Sequence, residues 1–443
     1  MKKNSSVCII GLGFVGLTLA AIMAKKGFKI YGVEKKKFIL KNLKSKKSHF
    51  YEPGLDEDIR YIIKKKKFTF HSSIPNNNDI NTYIISVGTP LNKSKKIITK
   101  HIIATTKKIS KQLKDGDCII LRSTVKIGTT RNIVGKILYK TKKKFKLAFC
   151  PERAVEGAAL KELNYLPQII GGIDKDSINY ARGIFQKITK KIVAVSSLET
   201  AEMIKLIDNS SRDVFFAYAN EIARTSESLG LNANEIINCG KLHYDRTFLA
   251  SPGLVGGPCL HKDPYIFSES LKNSKTKAEI TLMARKINER QPYEIVNSIY
   301  NKIRKIKNFS KNPKIIILGL AFKGKPITDD LRGSMSLEVF KALKKKFTNS
   351  KFYGFDPIVS KGEIKKLGLN PCLSLSNSFK KKDLIIIANN HPIFSKMNIE
   401  KLVKTSNKPS IVYDFWNHFN AESINFPNSI SYNGLGGNLK KHK

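Results

Sequence analysis

The chain has 443 residues, 41% of them hydrophobic and 26% charged, enough for two or three domains with their own cores and no need of disulfide staples. Its six cysteines are scattered, without C-x-x-C pairing or clustering with histidine, which argues against a disulfide framework or a metal site and fits a reducing cytoplasm. The formal net charge of +45 invites a nucleic-acid reading, but the lysines are spread in short runs such as 64–67 and 344–346, and no aromatic-interleaved basic motif, helix-turn-helix or RNA-binding signature accompanies them, so no nucleic-acid role is expected.

At the amino terminus Val7-Cys-Ile-Ile-Gly-Leu-Gly-Phe-Val-Gly reads as an apolar strand, a glycine turn and a helix. Gly11, Gly13 and Gly16 interrupt the apolar run, so neither a signal peptide nor a membrane insertion is expected. Their G-x-G-x-x-G spacing turns the chain, admits a pyrophosphate and lets the helix sit close to the sheet. A second strand, Lys29-Ile-Tyr-Gly-Val-Glu, ends in Glu34, an acid able to accept from both ribose hydroxyls and to repel a ribose phosphate. NAD is therefore favoured over NADP.

Further strands follow at 83–87, before Gly88-Thr89-Pro90, and at 117–121, before Arg122-Ser123-Thr124. Both put small polar residues beyond the carboxyl ends of strands, where ligands lie in an open α/β sheet; each threonine is equally readable as a cap or turn hydroxyl. Strand 145–149 runs into Cys150-Pro151-Glu152-Arg153, 168–173 gives another apolar strand, and 192–195 closes the first domain.

From about Thr200 an amphipathic helix runs without a breaker to Gly230, long enough to join two domains or two subunits. Lys205 and Asn209 stand at i and i+4 on one face, and Arg212 extends that polar strip. The segment Gly253-Leu-Val-Gly-Gly-Pro-Cys-Leu-His-Lys-Asp-Pro-Tyr then presents Cys259 on a glycine-rich loop beside Lys262 and Asp263. A thiol so placed reads either as a nucleophile whose thiolate a nearby ammonium favours, or as a buried, inert cysteine. After a helix over about 278–305, Lys314 to Lys323 opens a second strand–turn–helix unit with degenerate glycines, and Thr328 to Ser334 is expected to cap its helix. Strands ending near Asp356, at 384–388 and at 411–416 complete a second doubly wound domain, and the tail from Gly434 is expected to fray.

The expected fold is α/β, with two Rossmann-like doubly wound domains joined by a central helical region containing a long helix. Domain boundaries are placed at 1–198, 199–308 and 309–443.

A dinucleotide domain, a Pro151-Glu152-Arg153 segment, a long helix carrying K-x-x-x-N, a glycine-cysteine-Lys-Asp segment and a second Rossmann-like domain, in that order, resemble the UDP-glucose/GDP-mannose dehydrogenase family over nearly the whole chain. The resemblance implies NAD-dependent, four-electron oxidation of a nucleotide sugar's primary alcohol to a carboxylate, for surface polysaccharide synthesis, in a cytoplasmic homodimer. It implies that Cys259 forms a thiohemiacetal and then a thioester, that Lys205 stabilises oxyanions, that Asn209 holds the intermediate, that Asp263 and Thr124 position water, and that Glu152 serves as hydrolytic base. On the cofactor side it implies Gly11, Gly13, Phe14, Val15, Gly16, Glu34, Thr89, Thr124 and Arg332. On the UDP-sugar side it implies Arg153, Ala154, Lys205, Asn209, Arg212, His243, Gly256 and Lys323.

Pro151 to Gly157 and His243 resemble the branch acting on UDP-N-acetylhexosamines such as UDP-N-acetyl-D-mannosamine. Leu260 to Asp263 resembles the glucose branch, which makes UDP-glucose the alternative substrate. From another class, the alternative is a non-catalytic binding protein using a basic dehydrogenase fold.

Overall fold

The structure is a computed structural model that describes residues 6–77, 79–420 and 423–437. The chain divides into two compact units, Met1–Asn209 with Lys262–Ala278, and Ser210–His261 with Glu279–Lys443. Each has its own α/β sheet, and the central helical stretch is shared between them.

The first unit holds β1 (Ser6–Ile10), β2 (Lys29–Val33), β3 (Phe68–His71), β4 (Ile80–Ile85), β5 (Cys118–Leu121), β6 (Lys146–Phe149), β7 (Gln168–Gly172) and β8 (Ile192–Ala194). They lie in the order β3-β2-β1-β4-β5-β6-β7-β8. Pairings are parallel except between β6 and β7. All of β1 is buried because its alternate side chains enter different cores. Val7 and Ile9 join Leu17 and Ala20 on one face, while Cys8 and Ile10 join Tyr83 and Leu121 on the other.

The helix Phe14–Lys25 starts directly after the glycine turn and buries Gly16 through Ala24. A Cβ on Gly16 would lie 1.9 Å from the Gly11 carbonyl oxygen, so the helix approaches the turn as closely as backbone allows. The long helix spans Leu198–Leu229, 32 residues, and Gly230 ends it in the left-handed region at φ 71.

The second unit holds β9 (Lys314–Leu318), β10 (Lys351–Phe355), β11 (Asn370–Pro371), β12 (Leu384–Ile387), β13 (Ser410–Asp414) and β14 (Ile430–Gly434). Their order is β11-β10-β9-β12-β13-β14, all parallel. Again the central strand serves two cores, Ile315 and Ile317 on one face and Ile316 and Leu318 on the other. The helix Glu279–Ile303 carries Pro292 within it, and the helix Met335–Lys346 begins well after β9.

Ser334 occupies the position before that last helix, but its hydroxyl donates to the Leu320 carbonyl at 2.7 Å instead of capping. The expected cap is thus a tether for the loop after β9. Of the tail expected to fray, Gly434 closes β14 and residues 438–443 lie outside the described residues. Among the described residues no helix is long and apolar enough to cross a membrane. Among them, too, no group of three or more His, Cys, Asp or Glu is placed to hold a metal.

Candidate functional site

In the first unit the glycine turn sits where β1 and β4 part. Gly11, at φ 94, donates its N–H to the Val33 carbonyl at 2.8 Å, and a Cβ there would lie 2.8 Å from the Ser86 carbonyl oxygen. Ser86 Oγ returns a bond to the Gly11 carbonyl at 2.8 Å. At Gly13, by contrast, an added Cβ meets nothing within 4 Å. The helix that follows has no side-chain cap, and Phe14 and Val15 are its half-buried first residues. Open space above a glycine and an uncapped helix start suit a pyrophosphate.

Glu34 lies at the end of β2, its Oε2 accepting from the Leu12 N–H at 3.0 Å and its Oε1 from those of Lys35 and Lys36 at 2.8 and 3.0 Å. Oε2 keeps capacity for a further donor such as a ribose hydroxyl. The Thr89 hydroxyl donates to the Thr124 carbonyl at 2.7 Å, joining the loops that follow β4 and β5. These residues fit NAD: they supply a backbone cradle, a fixed acid and two linked rim hydroxyl residues.

The loop after β6 folds around Glu152, which is buried. Its Oε2 accepts from Arg122 at 2.7 Å and its Oε1 from the N–H groups of Arg153 and Ala154, both at 2.8 Å. Arg122 also donates to the Cys150 carbonyl and to Gln168 Oε1, each at 2.9 Å. Arg153 in turn reaches Asp208 of the long helix at 2.8 Å. Next to it, Asn209 Nδ2 donates to Asp263 Oδ2 at 2.6 Å, and Lys262 Nζ holds Asp263 Oδ1 at 2.6 Å. Asp263 is fully buried, and the ammonium that sequence reading offers to a thiolate is engaged by this carboxylate. Lys205 lies half-buried one turn before Asn209.

Sequence reading missed Glu202, on the same helix. It accepts from the Gly128 N–H at 2.5 Å, the Thr130 N–H at 2.8 Å and the Thr130 hydroxyl at 2.5 Å, fixing the loop that follows Thr124. Burial pushes its carboxyl up to about 7, against the pull of those three donors.

In the second unit Cys259 is exposed on a one-turn helix, Gly257–Leu260, where sequence reading expects a loop; Pro258 in its first turn and the glycines before it set that turn. The glycines are sterically required. A Cβ on Gly256 would lie 2.3 Å from the Gly333 carbonyl oxygen, and one on Gly257, at φ 92, would lie 2.4 Å from the Phe322 ring. One on Gly253 would lie 2.9 Å from the Trp416 ring. The Gly257 N–H donates to the Gly333 carbonyl at 2.8 Å.

Gly256 and Gly257 are thereby brought against the segment that carries Lys323 and Arg332. Lys323 Nζ sits 5.3 Å from the Phe322 ring centroid, and Arg332 is exposed and pairs with Asp330 at 2.5 Å. Arg212, exposed on the long helix, and His243, exposed at φ 52, do not enter this set of contacts.

Also missed is Arg285, fully buried on the helix Glu279–Ile303. It donates to the Val255 and Leu260 carbonyls, both at 2.9 Å, and pairs with Asp213 at 3.0 Å. The available signal is periodicity: Arg285 and Asn288 fall on the apolar stripe that also holds Ala284, Ile287 and Ile295, where solvated residues do not belong.

Three parts of the chain match one family. Residues 5–189 match the NAD binding domain of the UDP-glucose/GDP-mannose dehydrogenase family, residues 199–290 its central domain, and residues 316–421 its UDP binding domain. The UDP-N-acetyl-D-mannosamine dehydrogenase of Pyrococcus horikoshii is 30% identical over 411 residues, 92% of this chain and 94% of that one. A protein of the same name from Methanococcus maripaludis is 32% identical over 418 residues, 92% of each chain. The solved structure of the UDP-D-ManNAc dehydrogenase from Pyrococcus horikoshii superposes with a TM-score of 0.87 at 29% identity, covering 98% of this chain and 99% of that one.

Proposed function

The chain belongs to the UDP-glucose/GDP-mannose dehydrogenase family, and from that premise we propose that it oxidises carbon 6 of a UDP-N-acetylhexosamine, of the UDP-N-acetyl-D-mannosamine type, from alcohol to carboxylate with NAD. The observation that carries this reading is the presentation of one thiol. Cys8, Cys118 and Cys150 lie within or at the end of buried strands, where burial pushes their thiols up, to about 12 for Cys8 and Cys150, and Cys372 is half-buried; of the two exposed thiols, Cys239 lies in the helix Ala233–Gly240, while Cys259 stands on the one-turn helix just after the close-packed glycines. A two-electron oxidation stopping at an aldehyde needs no such group.

NAD, when bound, supplies a hydride acceptor for each two-electron stage. Cys259 Sγ adds to the aldehyde carbon, giving a thiohemiacetal whose oxidation leaves a thioester. Water then breaks the C–S bond, releasing the carboxylate and restoring the thiol. Lys205 would offset negative charge on the oxygen at each addition, and Asn209 would hold that oxygen. Asp263 and Thr124 would orient water, with Glu152 drawing its proton through the lone pairs its present partners leave.

The cofactor contacts proposed are Gly11, Gly13, Phe14, Val15, Gly16, Glu34, Thr89, Thr124 and Arg332. Those proposed for the UDP-sugar are Arg153, Ala154, Lys205, Asn209, Arg212, His243, Gly256 and Lys323. The same reading divides the chain at 1–198, 199–308 and 309–443 and places it in the cytoplasm.

A homodimer is part of the proposal. Phe215 and Tyr218 are exposed on the long helix, and the exposed Phe248 packs edge-on against Phe215 at 4.7 Å. Such an apolar surface suits a second copy. Sedimentation of Phe215→Lys protein as a monomer, with wild type as a dimer, is the expected outcome; identical sedimentation would remove this face from the assembly.

A panel of UDP- and GDP-sugars scored for NADH and acid tests the function. The expected result is two NADH per UDP-N-acetyl-D-mannosamine. Preference for UDP-glucose would correct the sugar, and no NADH with any sugar would overturn the reading.

A further inference from the structure

Residues 245–256, leading to the one-turn helix of Cys259, contain neither helix nor strand. Backbone groups in such a segment must find partners elsewhere, and here buried side chains provide them. Asn220 of the long helix pairs with Gly253 on both sides, Nδ2 donating to its carbonyl at 3.1 Å and Oδ1 accepting its N–H at 2.9 Å. Asn220 Nδ2 also donates to Asn288 Oδ1 at 2.9 Å, and Asn288 Nδ2 donates to the Asp213 carbonyl and to Asp213 Oδ1 at 3.0 and 2.9 Å. Asp213 pairs with Arg285, whose two terminal nitrogens reach the carbonyls of Val255 and Leu260.

Side chains from two helices thus hold the segment at Gly253, Val255 and Leu260, on both sides of the thiol. Full burial of a guanidinium carries a large desolvation penalty, and an apolar side chain of similar volume would fill the space without it. What an apolar side chain cannot do is tie two carbonyls in fixed register with one planar fork. Cys259 lies between the Val255 and Leu260 anchors, so the path of its backbone follows theirs.

We propose that Arg285 is a positioning residue for the Cys259 thiol, clamping the Val255 and Leu260 carbonyls so that Sγ is held at the distance from the aldehyde carbon that addition requires. The proposal rests on the thiol chemistry given under Proposed function. Reacting atoms must be held within a narrow range, and about 1 Å of misplacement costs about 10²-fold in rate. Loosening the clamp therefore slows capture of the aldehyde while leaving the first oxidation and both binding steps in place.

The test compares wild type with Arg285→Lys, which keeps the charge beside Asp213 but not the planar fork, and with the double variant Asp213→Asn/Arg285→Met, which removes the buried charges together. Amide exchange followed by mass spectrometry should speed up at least about 10-fold over residues 253–260 while β9 keeps its wild-type rates. With the sugar that wild type oxidises, kcat should fall about 10- to 100-fold with KM for sugar and NAD within twofold, and NADH per sugar should drop from two toward one with aldehyde recovered by a carbonyl trap. A merely structural role would move the exchange of β9 and the KM values together with kcat.

Unchanged exchange over 253–260 with two NADH per sugar in either folded variant overturns the proposal. If Arg285→Lys fails to fold, the charge-free double variant decides. Should wild type oxidise no nucleotide sugar, the functional reading fails, and the exchange arm still reports whether the clamp exists.

Discussion

The first six strands of the eight-stranded sheet and the strands of the six-stranded one run in one order, each with a first turn opened by a left-handed glycine and an acid at the end of the second strand, yet the connections after their first strands differ. After β1 the helix begins at Phe14, so its N-terminus lies at the strand end, and the space over Gly13 is open. After β9 the helix waits until Met335, and residues 319–334 fold into the space between. A Cβ on Gly319 would lie 2.3 Å from the Asn389 amide, and one on Gly324 would lie 2.0 Å from the His391 backbone nitrogen.

The acids differ in the same sense. Asp356 accepts from Leu320 and Ala321 through one oxygen and from Ile358 and Val359 through the other, so its capacity is consumed by its own backbone. Strand order supplies a platform, then, while the connection after the first strand decides what the platform holds. In the second unit that connection became the backing for the thiol segment.

The sharpest break between the units is Cys259→Ala. Acid formation should fall by at least about 10³-fold, measured as uronate appearing and not as NADH, whose first equivalent needs no thiol, while NAD titration of the first unit is unchanged. Normal acid production would remove the thiol from the mechanism.

A smaller effect separates the two acids. Glu34→Ala should raise KM for NAD about 10-fold and narrow the preference over NADP, whereas Asp356→Ala should lower Tm and leave KM for NAD alone. If both variants altered cofactor affinity equally, the division of labour argued above would be wrong.

The smallest effect is a pH dependence within the first unit. Because burial raises Glu202 from 4.5 to about 7, folding takes up a proton between those values. Its stabilising contribution is complete below about 4.5 and is lost as pH rises through about 7. Wild-type Tm minus that of Glu202→Gln should accordingly shrink by about 2–4 °C between pH 4.5 and pH 8. A difference independent of pH would show that Glu202 does not titrate in that window.

Much of this was legible from sequence. Glycine spacing placed the first crevice, apolar runs placed β1, β4, β5, β6, β9, β12 and β13, and the absence of breakers gave the long helix nearly to its ends. What escaped, besides the short strands β3, β11 and β14, is polar and buried. Arg285, Asn288 and Glu202 are helical residues whose types usually face solvent, and only their tertiary partners reveal otherwise. The antiparallel turn of β7 is likewise invisible in a short apolar strand, since side-chain alternation is the same in either direction. Local hydrogen bonding also overrode an expectation, for Ser334 serves the loop after β9 and not the helix it precedes.

The chain contains one tryptophan, Trp416, whose indole N–H is fixed to the Ala388 carbonyl at 3.0 Å and whose ring lies against Gly253. All indole emission from this protein therefore arises beside the stretch of backbone that leads to the Cys259 sulfur. Changes in the wavelength or intensity of that light report on the setting of the thiol segment, giving the enzyme an intrinsic optical probe without any added label.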